Sequence, residues 1–310
     1  MSDSISLTVP EQTTSCFVIA ADHAPGDLPL PALRRLPAPF ALEAIERLGS
    51  PRLAITSHPA AHSPWCLDHA RLVDDEEDLA LEERVLDAGH HIGITAALPS
   101  WDRPYGIRLA RAVARCVADH LDGVPVDLDT GQILPTRPPE PVSFRLADDW
   151  LGVWLPPYRD GGRCTASDDE PDGCACVGFT TLGLTRFGLP ELEMAQVACP
   201  HDLAALNVLR TTAQRLLPMG NQPGGHTFPR VLPLTGEDFG AYWGARDPIW
   251  TDGPVPVRLT PRGPRLLSVG PPEDFPGSLN EWLCDELPPV LYDLLSCGPD
   301  ASVASDGTGR

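Results

Sequence analysis

The stretch from Thr180 to Leu217 constrains the fold more than any other part of the chain. Thr180, Thr181, Leu182 and Leu184 are β-compatible, and Gly183 among them permits a bulge or a close backbone approach. Phe187-Gly188-Leu189-Pro190 supplies a turn, because glycine tolerates positive φ and proline presets its own. Glu191-Leu192-Glu193-Met194 then alternates with a period of two, which sends Leu192 and Met194 to the core and Glu191 and Glu193 to the other face. Pro200 closes the strand region and Asp202 is the expected N-cap of a helix. Leu203, Leu206, Leu209, Ala213, Leu216 and Leu217 recur at helical spacing, with Asn207, Arg210, Gln214 and Arg215 turned away, and Pro218 stops the helix. A β-hairpin feeding an amphipathic helix is the expected outcome.

The rest of the chain yields to the same rules. Cys16 to Ala20 reads as a strand within residues 1–38, which otherwise run into a proline-rich linker. Phe40–Leu48 predicts a short helix ended by Gly49, Leu53–Thr56 a strand, and Asp74–Ala88 a helix whose acidic first turn suits the helix dipole. Ile92–Thr95 returns as a strand. In Ile107–Leu121 the apolar residues form one buried stripe; Arg108, Arg111 and Arg115 line another face. Those arginines either grip an anion or form a solvated face with Arg115 near Asp119, and the second is the expectation.

Asp129-Thr130-Gly131 resembles the triplet of aspartic proteases, but their dyad needs a second such carboxylate and the chain has no second copy. Aspartate and glycine also suit a hairpin turn between Val124 and Leu134. The four prolines of Pro135–Pro141 mark a domain boundary. Beyond it, Trp150–Leu155 and Val231–Leu234 read as strands. Val255–Leu259 and Arg265–Val269 form a hairpin, with Pro256 making the first an edge strand. Ser278 with Glu281 is a capping box for a helix through Leu287.

Phe179-Thr180-Thr181-Leu182-Gly183-Leu184, Gly188 to Leu192 and the helix from Leu203 to Leu217 together resemble a bacterial domain-of-unknown-function family. That family has a Tyr-Thr-x-Gly-Leu strand, a Pro-Glu-Leu strand and a Leu-Leu-Asn-like helix; here Thr180 stands in place of the aromatic residue. More distantly, with Gly225-His226-Thr227, the segment is similar to suppressor-of-fused-like domains, a group found beside polymorphic-toxin systems as immunity proteins. The resemblance covers roughly residues 150 to 240, implies an immunity-like interaction role, and transfers no catalytic residue.

Composition narrows the classes. All 23 basic residues are arginine, which removes lysine Schiff bases, the Walker phosphate loop and the protein-kinase lysine. A net charge of −20 argues against nucleic acid and anionic membranes as partners and permits a basic protein. Met1 to Pro10 lacks the pattern of a signal peptide, and no apolar run reaches the roughly 20 residues of a membrane span. Nine cysteines, mostly scattered, suit reduced thiols in a cytoplasm.

Two clusters have metal-ligand character. His58, His62, Cys66 and His69, beside Asp68, approach zinc-ligand spacing; three of them around Zn²⁺ with an open position would give a hydrolase its nucleophilic water. Cys164, Cys174 and Cys176, with Cys199 and His201 further on, offer metal or redox chemistry in a Cys-x-Cys pattern unlike a zinc ribbon. Glu191 and Glu193, and the aromatics Tyr242, Trp243 and Trp250, are candidate interaction residues. The expectation is an α+β chain of two domains, 1–140 and 141–297, each a mainly antiparallel sheet with covering helices, then a disordered tail from 298 to 310. Its expected role is a cofactor-free cytoplasmic protein that binds a protein partner, with a zinc-dependent hydrolase at the His58–His69 cluster as the alternative.

Overall fold

Alternating apolar residues and well-spaced turn signals give two large open sheets and a two-stranded ribbon, with helices against them. A computed structural model describes residues 4–26, 30–68, 70, 76–134, 140–141, 143–154 and 172–293, leaving aside the side chains of 76–79. The first half contains β1 (Ser4–Val9), β2 (Gln12–Ala21), α1 (Leu30–Leu33), α2 (Phe40–Arg47), β3 (Ala54–Pro59), α3 (Glu76–Leu86), β4 (His90–Pro99), α4 (Tyr105–Leu121), β5 (Val124–Asp127) and β6 (Gln132–Ile133). The second contains β7 (Gly152–Trp154), β8 (Val177–Leu182), β9 (Glu191–Val197), α5 (Asp202–Leu216), β10 (Gly224–Pro229), β11 (Val231–Leu234), α6 (Gly236–Trp243), β12 (Val255–Gly263), β13 (Leu266–Gly270) and α7 (Leu279–Asp285).

The chain is α+β. In the first sheet the strand order is β3-β4-β2-β5-β6, antiparallel throughout. In the second it is β11-β12-β13-β9-β8-β7, with β13 and β9 the parallel pair. β1 leaves the first half to pair with β10 of the second. Its alternation of Ile5, Leu7 and Val9 with Ser4, Ser6 and Thr8 is a strand signal of period two.

β2 has an apolar residue on both faces because the first sheet is covered on both. Phe17 and Ile19 enter a large core that also takes in Ile94, Leu192 and Val257, so it runs through both sheets. Val18 and Ala20 enter a smaller cluster with Val85 of α3 and Val126 of β5. On that side Gly93 of β4 makes room for an indole: a Cβ there would lie 2.2 Å from the Trp65 ring.

Several expectations change. Arg108, Arg111 and Arg115 do not form a solvated face. α4 is packed on its far side by the segment around 140–150, and the three guanidiniums surround the buried Glu140 carboxylate at 3.6, 2.9 and 3.4 Å. Arg111 also lies 3.3 Å from the centre of the Trp150 ring. Asn207 is buried too: its amide donates to the Leu291 and Asp293 carbonyls, tying α5 to the final turn. Asp202 is the first helical residue instead of the N-cap, because the 3₁₀ turn Cys199–His201 runs directly into α5.

Pro256 lies in a strand flanked by two others, not in an edge strand. It is tolerated because it faces Pro233 of β11, and β13 ends at Gly270, opposite Arg258, before reaching it. The capping box of Ser278 and Glu281 is present as expected, and Thr235 with Asp238 makes a second one for α6. The proline-rich segment 135–139, Cys164 and the polar loop through 171, His69 and the tail from 298 lie outside the described residues.

Replacing one carboxylate among three guanidiniums leaves buried cations without their counter-ion. Glu140→Gln is expected to lower stability by about 3 kcal/mol, read from urea unfolding with an unchanged denaturant slope. A loss under about 1 kcal/mol would mean that the cluster is solvated.

Candidate functional site

The turn of the Thr180–Leu217 stretch carries a fully enclosed charge, Arg186. After β8, Gly183 adopts φ +108°, and Leu184–Phe187 forms a 3₁₀ turn that directs Arg186 inward. No side chain fits at 183, since a Cβ would lie 2.8 Å from the Trp150 carbonyl oxygen and 3.1 Å from the Arg186 guanidinium. Glu191 braces the same turn. Its carboxylate accepts from the Thr181 hydroxyl at 2.8 Å and from the Gly183 and Thr185 amides at 3.0 and 3.1 Å. Burial pushes the Glu191 carboxyl up, and those three donors pull the other way.

Arg186 has no exposed surface. Its Nη1 meets the equally buried Asp127 carboxylate at 2.7 Å, and Nη2 donates to the Trp150 carbonyl at 2.7 Å. Asp127 ends β5 and holds its own turn by accepting from the Asp129 amide at 3.0 Å. The Thr13 hydroxyl of β2 donates to the Arg186 carbonyl at 2.6 Å. The Asp-Thr-Gly triplet is therefore the hairpin turn it was expected to be, and its flanking carboxylate is the counter-ion of an arginine from the other sheet.

Asp129 faces outward from this junction. It accepts a short hydrogen bond from the Ser15 hydroxyl and lies 3.6 Å from Arg186 Nη1. Its carboxylate helps line a hollow of about 460 Å³ between the sheets. Thr8, Gln12 and Thr13 contribute from the first half, and Thr185 and Arg265 from the second. Burial and the Asp127 charge push the Asp129 carboxyl up to about 6, against the pull of Arg186 and of the Ser15 hydroxyl. It is a carboxyl that changes charge near neutrality at the base of a polar recess, suited to accept a cationic or hydrogen-bond-donating group.

The other candidate residues are placed elsewhere. Glu193 is partly exposed and lies 3.5 Å from Arg262. Tyr242 and Trp250 are buried, packed with Trp243 around Phe239, and Arg210 stacks over Tyr242 and Trp243. Phe239, Tyr242 and Trp243 all come from α6, Trp250 comes from the loop after it, and α5 supplies Arg210 over two of the rings. His58 packs its ring against Trp65 at 5.3 Å and pairs across the strands with His91. His62 ends the 3₁₀ turn Ala60–His62 and Cys66 is exposed. Among the described residues, Cys174, Cys176 and Cys199 are the group of three metal-ligating side chains whose donor atoms converge. His201 is buried nearby, with Nδ1 3.3 Å from the Tyr292 hydroxyl.

An arginine after a strand gives no sign of which way it points, so the inward turn of Arg186 is not legible in the sequence. Glycine at 183, followed by a turn, is the signal that a close approach was required there.

No family model matches the chain, and no curated protein or solved structure matches it. No described helix is long and apolar enough to cross a membrane.

The sign of the Asp129 shift sets a pH test. With an ordinary value of 3.8 and a folded value of about 6, the native state holds the proton more tightly. Stability from this group falls as pH rises between those values and levels off above them. Asp129→Asn removes that dependence. Relative to wild type, the variant is expected to gain about 1 kcal/mol more at pH ~7.5 than at pH ~5 in denaturant unfolding. Equal differences at both pH values would contradict the shift.

Proposed function

We propose that this chain is a non-enzymatic, cytoplasmic interaction protein that binds a basic protein partner through its acidic surface. The immunity-like role implied by the Thr180–Leu217 resemblance is the form this takes: the partner is a toxin that the chain neutralises. The reading is carried by the way charge is sorted between inside and outside. Among the described residues Arg47, Arg103, Arg111, Arg115 and Arg186 are all buried, with the carboxylates of Asp102, Asp127 and Glu140 withdrawn beside them. Since 43 acidic residues face 23 arginines in the sequence, turning arginines inward leaves the surface more acidic than the formal charge.

A surface of one sign attracts its opposite over about a Debye length, roughly 8 Å at physiological salt, and speeds encounter. The hollow above Asp129 gives that surface a recess for a single cationic side chain, with threonine hydroxyls to fix its orientation. The residue types that ordinarily carry chemistry are used here to brace the fold. Glu191 holds a turn, Arg103 binds the Pro10, Phe187 and Gly220 carbonyls, and Asn207 anchors the 3₁₀ turn at Pro289–Tyr292.

A pull-down with the full chain from its native host lysate tests this. The expected result is a basic protein that, once purified, binds again at one-to-one stoichiometry and weakens at least about tenfold between ~0.05 and ~0.5 M salt. Capture of no protein at either salt, or a purified pair indifferent to salt, would overturn the reading.

A further inference from the structure

The open end of the β8–β9 hairpin brings together three thiols that the interaction reading does not use. Val177 and Val197 are the last register pair of these strands. Cys174 and Cys176 enter β8 just before that pair, and Cys199 leaves β9 just after it. Their sulfurs lie within 4.8 Å of one another. In sequence the third is more than twenty residues from the first two, so the antiparallel pairing, not the Cys-x-Cys spacing, makes the cluster.

The convergence is built. The Cys199 amide donates to Cys174 Sγ at 3.2 Å, which holds the two segments together at the thiols. One buried side chain holds both arms. Asn280, the second residue of α7, accepts from the Ala198 amide at 2.8 Å and donates to the Gln196 carbonyl at 3.3 Å on the β9 side. On the other side it donates to the Asp172 carboxylate at 3.0 Å, which also accepts from the Ser278 hydroxyl at 2.8 Å. Asn280 thus spans the two segments that carry the thiols, and the capping box at Ser278 fixes the helix start from which it projects.

We propose that Cys174, Cys176 and Cys199 bind one zinc ion through three thiolates. Zn–S bonds of about 2.3 Å in a tetrahedron put the sulfurs about 3.8 Å apart, so the trio needs only a small closure. Three thiolates are soft ligands that select zinc over the hard cations magnesium and calcium. Cys176 is exposed, and the fourth ligand that closes the site comes from outside the trio. The ion's role is structural: it pins the segment entering β8 to the start of α5. The site is separate from the Asp129 hollow, whose lining includes none of the three cysteines.

The test uses full-length protein, fully reduced with a phosphine, and titrated with Co²⁺ as a spectroscopic stand-in for zinc. The expected result is one equivalent bound, with the intense visible bands of tetrahedral cobalt and a sulfur-to-cobalt charge-transfer band, all displaced by Zn²⁺. Cys176→Ser and Cys199→Ser should abolish the charge-transfer band, Cys66→Ser and His62→Ala should keep it, and Asn280→Ala should weaken zinc binding about tenfold or more. Should the cysteine variants not fold, wild type still decides: zinc should protect the three thiols from alkylation, read by peptide mass spectrometry, while Cys66 and Cys284 react. A cobalt spectrum without charge transfer, bands that survive in Cys199→Ser, or a trio alkylated equally with and without zinc would overturn the proposal.

Discussion

A guanidinium with no contact to water is the constraint on which the rest of this structure depends. Arg186 belongs to the turn between β8 and β9, and its partners, Asp127 and the Trp150 carbonyl, come from β5 and from the segment leading into β7. Taking such an ion pair out of water costs several kcal/mol per charge, which the attraction offsets only when geometry and remaining hydrogen bonds are good. The pair therefore adds little net stability over an apolar contact, yet any arrangement of the sheets that separates its members is heavily penalised. Arg186 specifies where the second sheet sits on the first, and the hollow over Asp129 follows from that placement.

The same chemistry recurs where the two halves touch. Arg103 reaches carbonyls at 10, 187 and 220 from one position, and Arg111 combines a bidentate contact with Glu140 and stacking on Trp150. A planar fork with five donors and a proton it does not lose can serve several acceptors inside a protein; a lysine ammonium, compact and strongly hydrated, shifts its pKa instead. In a chain whose cations are all arginine, inward-facing cations become a structural device, held by buried partners such as Asp102, Asp127 and Glu140. Charge sorting of this kind links the interior to the proposed partner chemistry.

Much of the fold was legible where a local rule decided the outcome. The β8–β9–α5 unit, α2, α4, the β12–β13 hairpin and the capping box at Ser278 all follow from periodicity, turn residues and caps. What was not legible depended on a distant neighbour. Arg111 and Arg115 looked solvated because helical spacing says which residues share a face, not what covers it. Asn207 looked solvent-facing for the same reason, although its acceptors lie more than eighty residues ahead. Tyr242 and Trp250 were visible as aromatics and silent about their burial. The thiol trio was half visible: Cys174 and Cys176 are two apart in sequence, but only the register of β8 with β9 brings Cys199 to them.

The most direct test of the junction is a double-mutant cycle between Asp127→Asn and Arg186→Met, measured by denaturant unfolding of the full chain. The account predicts that each single change costs about 3 kcal/mol or more, while the pair together costs much less than the sum, leaving a coupling of at least about 2 kcal/mol. Additive losses, or single variants that unfold like the wild type, would contradict it and remove Arg186 from the centre of this fold.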